Sequence, residues 1–251
     1  MSRIKLVFNI VVVACILVLG IFVIVKKQNE SCSGIRIAID YSGNKKIVDE
    51  QEVLSLLENN KIKVVGIKMK ELQLDEIQQL LSNHPYVKEC KLSRSGSQLS
   101  INLQLRKLLI QLFPQNGNSC FIDWDGNKLP FSSKVNEKLI IANGHIPEFN
   151  SGTDQINKQP QLIQDLHTIA KTIVEDTVCQ SLYAQLYVNE NNEIELIHKE
   201  GKTNVLLGNC SNIDEKFFKI KEFNLSVLPT IGEHQYKMID VRFQNRIIAK
   251  K

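Results

Sequence analysis

The groups able to carry chemistry in this chain are scattered. His84, His145, His167, His198 and His234 fall at no metal-ligand spacing, and neither an HExxH nor a GxSxG pattern occurs. Gly201-Lys202-Thr203 has the ending of a phosphate-binding loop. That loop needs a glycine where Leu196 stands, so a hairpin turn bearing a lysine is the simpler reading. Cys120 lies near Asp123 but has no histidine close in sequence to act as its base. Glu193 and Glu195 share a strand face with Ile197, the pattern of a solvated edge rather than of a catalytic pair. His167, on a predicted helix, reads as a surface residue. Cys32, Cys90, Cys120, Cys179 and Cys210 are widely spaced with no CxxC. Their odd number leaves at least one unpaired within the chain, and most read as small buried hydrophobes. The expectation is therefore a protein without catalysis, with no catalytic residue, cofactor or metal site, whose work is done by a surface.

The charge points to a membrane. The chain has 251 residues, 43% hydrophobic, with 31 Lys+Arg against 27 Asp+Glu. Arg3, Lys5, Lys26 and Lys27 flank residues 6–25, and no acidic residue precedes Glu30. Without those four the basic residues equal the acidic ones, so the body is formally neutral, which argues against a nucleic-acid binder. Residues 6–25 are apolar throughout except for Asn9 and the Cys15 thiol. Twenty helical residues span about 30 Å, the thickness of a bilayer core. A cleaved signal peptide would have a shorter apolar core, and a lipoprotein modified at Cys15 would keep an apolar stretch after it. An uncleaved anchor is the preferred reading, with charge nearly balanced across it and orientation weakly specified. Lys26-Lys27 also suit lipid head groups.

Beyond the anchor, two modules are expected. Ile35, Ile37 and Ile39 alternate as in a strand, and Asp49 with Glu52 makes a capping-box-like helix start before Val53, Leu56 and Leu57. Leu74, Ile77, Leu80 and Leu81 mark a second helix, stopped before Pro85. Residues 86–93 read as a strand, and Leu99, Ile101, Leu103 and Leu105 as the cleanest strand of the chain. Strand-helix-helix-strand-strand in about 70 residues is a sound α+β arrangement. Residues 107–251 are β-rich. Strands are expected at 108–113, 120–123, 184–188, 193–198, 204–207, 238–243 and 247–250. Asn116-Gly117 and Asp125-Gly126 are turns, and 144–160 reads as a loop. Leu162 to Val174 and Ile213 to Leu228 carry helical stripes, the second closed by Pro229 and Gly232.

The order of the first module is that of a polypeptide-transport-associated (POTRA) module. His84-Pro85-Tyr86-Val87-Lys88-Glu89-Cys90-Lys91-Leu92-Ser93-Arg94, followed by a strand ending in Arg106, resembles the membrane-proximal module of the bacterial FtsQ/DivIB division proteins. Lys107-Leu108 stands where that family has proline, His84 where Asn is common and Tyr86 where Trp is. Phe121-Ile122-Asp123-Trp124-Asp125-Gly126 with Pro130, residues 139–142 with Gly144-His145, and Tyr236-Lys237-Met238-Ile239-Asp240-Val241-Arg242-Phe243 resemble later phrases of the family. Phe243 stands where Tyr is common. The resemblance implies an α+β protein with a single N-terminal transmembrane helix. It has a cytoplasmic tail (1–5), the span (6–25), a juxtamembrane linker (26–34), a POTRA module (35–106) and an FtsQ-type β domain with flanking helices (107–251). It implies a single-pass inner-membrane protein of the division septum with its C-terminal part periplasmic. Such a scaffold recruits FtsB- and FtsL-type partners and helps control septal peptidoglycan synthases. The rival readings are a POTRA protein of outer-membrane assembly or secretion, and a membrane-anchored cell-wall enzyme. The first predicts repeated modules or a barrel, the second a clustered catalytic constellation.

The last hairpin is the expected site. A three-residue loop, Gln244 to Arg246, would set Phe243 opposite Ile247, Val241 opposite Ala249 and Asp240 opposite Lys250, leaving Ile248 on the outer face beside Arg242. An edge strand there would accept a partner strand. The resemblance carries partner binding to Arg242 and Phe243 by motif, and to Arg246, Ile248 and Lys250 by position.

Overall fold

The computed structural model describes residues 13–19, 30–43, 47–115, 117–149, 155–232 and 235–251. Residues 13–19 are helical, with Ile16, Leu17 and Leu19 exposed. Most of 6–25 lies outside the described residues, as do Arg3, Lys5, Lys26, Lys27, Asn116, residues 150–154 and His234. Among the described residues no helix is long and apolar enough to cross a membrane. The chain divides into two compact units, Met1–Ser42 with Lys46–Leu105, and Gly43–Lys45 with Arg106–Lys251.

The first unit is built from β1 (Gly34–Asp40), α1 (Glu50–Asn59), α2 (Leu74–Ser82), β2 (Val87–Ser95) and β3 (Gln98–Leu105). Its sheet has the order β1-β3-β2, with β1 parallel and β2 antiparallel to β3. A parallel pair needs a long crossover, and the two helices supply it. Asp49 caps α1 by accepting from Glu52 N at 2.8 Å. The Glu52 side chain faces His84 at 3.7 Å. Leu99, Ile101, Leu103 and Leu105, on one face of the sheet, are buried, as are Val53, Leu57, Ile77 and Leu81 of the two helices, each contributing roughly 1.5–3 kcal/mol of transfer free energy.

The second unit is a nine-stranded mixed sheet in the order β12-β11-β10-β9-β8-β7-β4-β5-β6. Its strands are β4 (Leu108–Leu112), β5 (Cys120–Asp123), β6 (Lys128–Pro130), β7 (Ile140–Gly144), β8 (Tyr183–Val188), β9 (Ile194–His198), β10 (Asn204–Gly208), β11 (Met238–Asp240) and β12 (Ile248–Lys250). Two helical crossovers return the chain to parallel neighbours. One is α3 (Gln161–Glu175) with α4 (Thr177–Leu182), between β7 and β8. The other is α5 (Ile213–Glu222), a π turn (Phe223–Val227) and α6 (Leu228–Ile231), between β10 and β11. Ile163, Leu166, Ile169, Ile173, Phe217, Ile220 and Phe223 form one core with Leu112, Ala142, Leu186, Leu196, Val205 and Ile239. The opposite sheet face carries the alternate residues, such as Gln111, Gln185, Tyr187 and Glu195.

Several expectations are corrected. His167 is buried, its Nε2 3.0 Å from Asp123 O, because its helix face packs on the β5–β6 turn. Strand β9 lies inside the sheet, so Glu193 and Glu195 are not at an edge. Pro229 does not close the helix but sits at the start of α6. Its missing N–H deprives Leu225 O of the usual donor, and the helix widens upstream so that Leu228 N reaches Phe223 O. Helix α4 was not expected; Asp176 caps it through the Val178 and Cys179 amides at 3.1 and 3.0 Å. Cys32, Cys90, Cys120 and Cys179 are buried free thiols and Cys210 is half-buried. Burial pushes Cys90 and Cys120 up to about 11, which makes them poor nucleophiles.

Candidate partner-docking edge

The terminal strands depart from the expected register. Met238 pairs with Lys250, Ile239 with Ala249 and Asp240 with Ile248, a slip of two residues from the expected pairing. A two-residue slip preserves which side chains share a face. Ile239 and Val241 remain in the core, and Ile248 stays outside, 38% exposed. Both strands are three residues long, so the connection runs from 241 to 247 rather than over three residues.

The cause is what holds Asp240 and the residues after it. Asp240 is 2% exposed and does not face Lys250. Its Oδ1 accepts from Arg242 N at 3.1 Å and Arg242 Nε at 2.9 Å, and its Oδ2 from Arg242 Nη2 at 2.7 Å. The turn thus made lifts the chain out of the sheet. Burial raises the Asp240 carboxyl, but the hydrogen bonds from Arg242 outweigh it and hold the group below its ordinary value. Arg242 Nη1 also donates to Glu193 Oε1, and the two carboxylates raise the guanidinium further. The aliphatic stem of Arg242 crosses Gly208 at the end of β10, where an added Cβ would lie 3.1 Å from Cδ and where φ is +80°. Glycine serves both the turn and the close approach.

Arg242, expected as a contact, is held by Asp240 and Glu193 and keeps its side chain 33% exposed. Phe243 is 37% exposed, with the guanidinium carbons of Arg246 and Arg242 at 4.7 and 5.7 Å from its ring centroid. Arg246 and Lys250 are exposed. The structure therefore brings Phe243 and Arg246 together in the loop and sets Ile248 and Lys250 on the last strand. A sheet-terminal strand offers its outward N–H and C=O groups for pairing.

Sequence reasoning missed the residues that hold the loop. Lys219 Nζ donates to Val241 O at 2.9 Å, Phe243 O at 2.7 Å and Glu215 Oε1 at 3.1 Å. The i,i+4 spacing of Glu215 and Lys219 was a visible signal of the pair, though not of its target. Phe218 and Leu225, 61% and 60% exposed, stand off the core stripe of the same helical segment.

Residues 109–250 match the family model described as FtsQ/DivIB, C-terminal related, and residues 30–103 match that of the POTRA-like domain. No curated protein matches the chain. The first match covers more than half of the sequence and the whole mixed sheet except its first residue, and the second falls on the three-stranded unit. The chain belongs to the FtsQ/DivIB family of cell-division scaffold proteins.

Proposed function

We propose that this protein is a single-pass scaffold of the inner membrane at the division septum. Its N-terminus is cytoplasmic, residues 6–25 are its anchor, and the 35–106 and 107–251 modules are periplasmic. It holds FtsB- and FtsL-type proteins and so helps control septal peptidoglycan synthesis. Docking occurs by addition of a partner strand to β12. Ile248, Lys250, Phe243 and Arg246 flank the incoming chain, and Arg242 keeps the edge in shape. The observation that carries this reading is an edge strand with an exposed Ile248 beside a fixed loop presenting Phe243. Exposed apolar groups next to open backbone donors and acceptors form a surface completed by another chain.

The test is co-purification of the full chain with an FtsB-type partner expressed alongside it. Ile248→Asp is expected to reduce capture at least tenfold while the unfolding midpoint stays within about 2 °C, because an exposed substitution changes stability little. Undiminished capture contradicts the docking site. Fractionation of a full-length fusion to soluble rather than membrane fractions contradicts the anchor.

A further inference from the structure

Strands β10 and β11 are parallel, so their C-terminal ends point the same way, and α5 lies between them in the chain. Two lysines three residues apart on α5 meet those two ends. Lys216 is 4% exposed, and its Nζ donates to Asn209 O at 2.8 Å, just past the end of β10. Lys219 is 9% exposed and donates beyond the end of β11, to Val241 O and Phe243 O. With Glu215 Oε1 as third acceptor, all three ammonium protons are used. The same Glu215 oxygen accepts from Asn245 N at 3.2 Å, where the backbone turns at φ 54°. Helix α5 thus grips the 241–247 segment at residues 241, 243 and 245.

A buried ammonium is costly unless fully paired. Here its pairing is spent on the backbone of the segment that carries Phe243 and Arg246 and delivers the chain to β12. We infer that Lys219 is a positioning residue of the docking edge: through the carbonyls of Val241 and Phe243, with Glu215 on Asn245, it presets the loop in its binding shape. This rests on the reading of β12 as the docking strand. A loop ordered before the encounter has less conformational freedom to lose on binding, so the partner's affinity depends on a side chain the partner never touches.

The test uses the full chain with a co-expressed FtsB-type partner as probe. Three quantities are measured: partner affinity, amide exchange across 241–247, and exchange in α3 as a monitor of the fold. Lys219→Met keeps the stem and removes the ammonium. It is expected to weaken binding about tenfold and speed exchange in 241–247 with α3 unchanged, and Lys219→Arg is expected to recover most of the affinity. A purely structural lysine would instead move α3 exchange together with binding. If Lys219→Met binds as the wild type does while Ile248→Asp does not bind, the positioning role is overturned and the docking edge stands. If both bind as the wild type does, the docking edge itself falls, and the positioning role with it. Should Lys219→Met fail to fold, Glu215→Ala decides, since its side chain is 36% exposed. A roughly threefold loss with faster exchange at Asn245 supports the proposal, and unchanged binding overturns it.

Discussion

At one end of the nine-stranded sheet, β6 finishes in Pro130, which has no N–H to offer a neighbouring strand. A bridge from Asn127 to Gln155 runs alongside, and Phe131 stacks on Phe121 at 5.8 Å. At the other end, β12 has no proline and leaves Ile248 and Phe243 exposed. Each end contains a buried aspartate beside an arginine, used in opposite ways. Asp123 accepts from Arg106 Nη1 at 2.9 Å, from the amides of Asp125 and Asn127, and from the Asn127 side chain, and so folds a hairpin shut. Asp240 spends its acceptors on Arg242 and turns the chain away from the sheet. One ion pair closes an edge and the other presents one. The function of such a pair lies in which backbone it bends, not in its being a salt bridge.

The largest expected effect separates the two pairs. Asp123→Ala removes a buried carboxylate that accepts from Arg106, Asp125 and Asn127, and is expected to cost roughly 3–5 kcal/mol in urea unfolding. Asp240→Ala is expected to cost about 1–3 kcal/mol, because the Arg242 side chain is 33% exposed and water can take over part of its hydration. Equal costs would break the contrast.

A second, smaller difference is in pH response. Burial lowers the His167 pKa, with the Asp123 carbonyl opposing it in part. Between that depressed value and the ordinary 6.5, the unfolded chain binds more protons than the folded one. Stability at the closed end therefore falls as pH drops below about 6.5. At the open end the Asp240 and Glu215 carboxyls are held low and stay charged through that window. Unfolding midpoints from pH 7.5 to 5 are expected to decline in the wild type and to decline less in His167→Gln. Identical slopes would remove histidine from the account. The smallest effect sharpens the edge comparison: Pro130→Thr restores a donor to β6 and is expected to give weak, concentration-dependent self-association in sedimentation that wild type lacks.

Much of this architecture is legible in the chain because alternation and helical stripes report burial directly. Leu99 to Leu105, Leu162 to Val174 and Ile213 to Leu228 all mark the elements they form. What was not legible depends on partners distant in sequence. His167 reads as a surface residue until the β5–β6 turn is laid against it. The register of β11 and β12 follows local pairing until Arg242 reaches Glu193 and Lys219 reaches Val241. Pattern reading placed Ile248 on the outer face because a slip of two residues leaves the faces unchanged. Nothing local shows that Glu193, distant in sequence, joins Asp240 in holding Arg242.

Amide exchange at residues 248–250, with and without an FtsB-type partner, tests the docking edge most directly. Strand addition predicts that the outward amides of β12 slow at least tenfold in the complex while those of β6 at 128–129 do not change. Slowing at β6, or complex formation that leaves β12 exchanging as in the free protein, would contradict it.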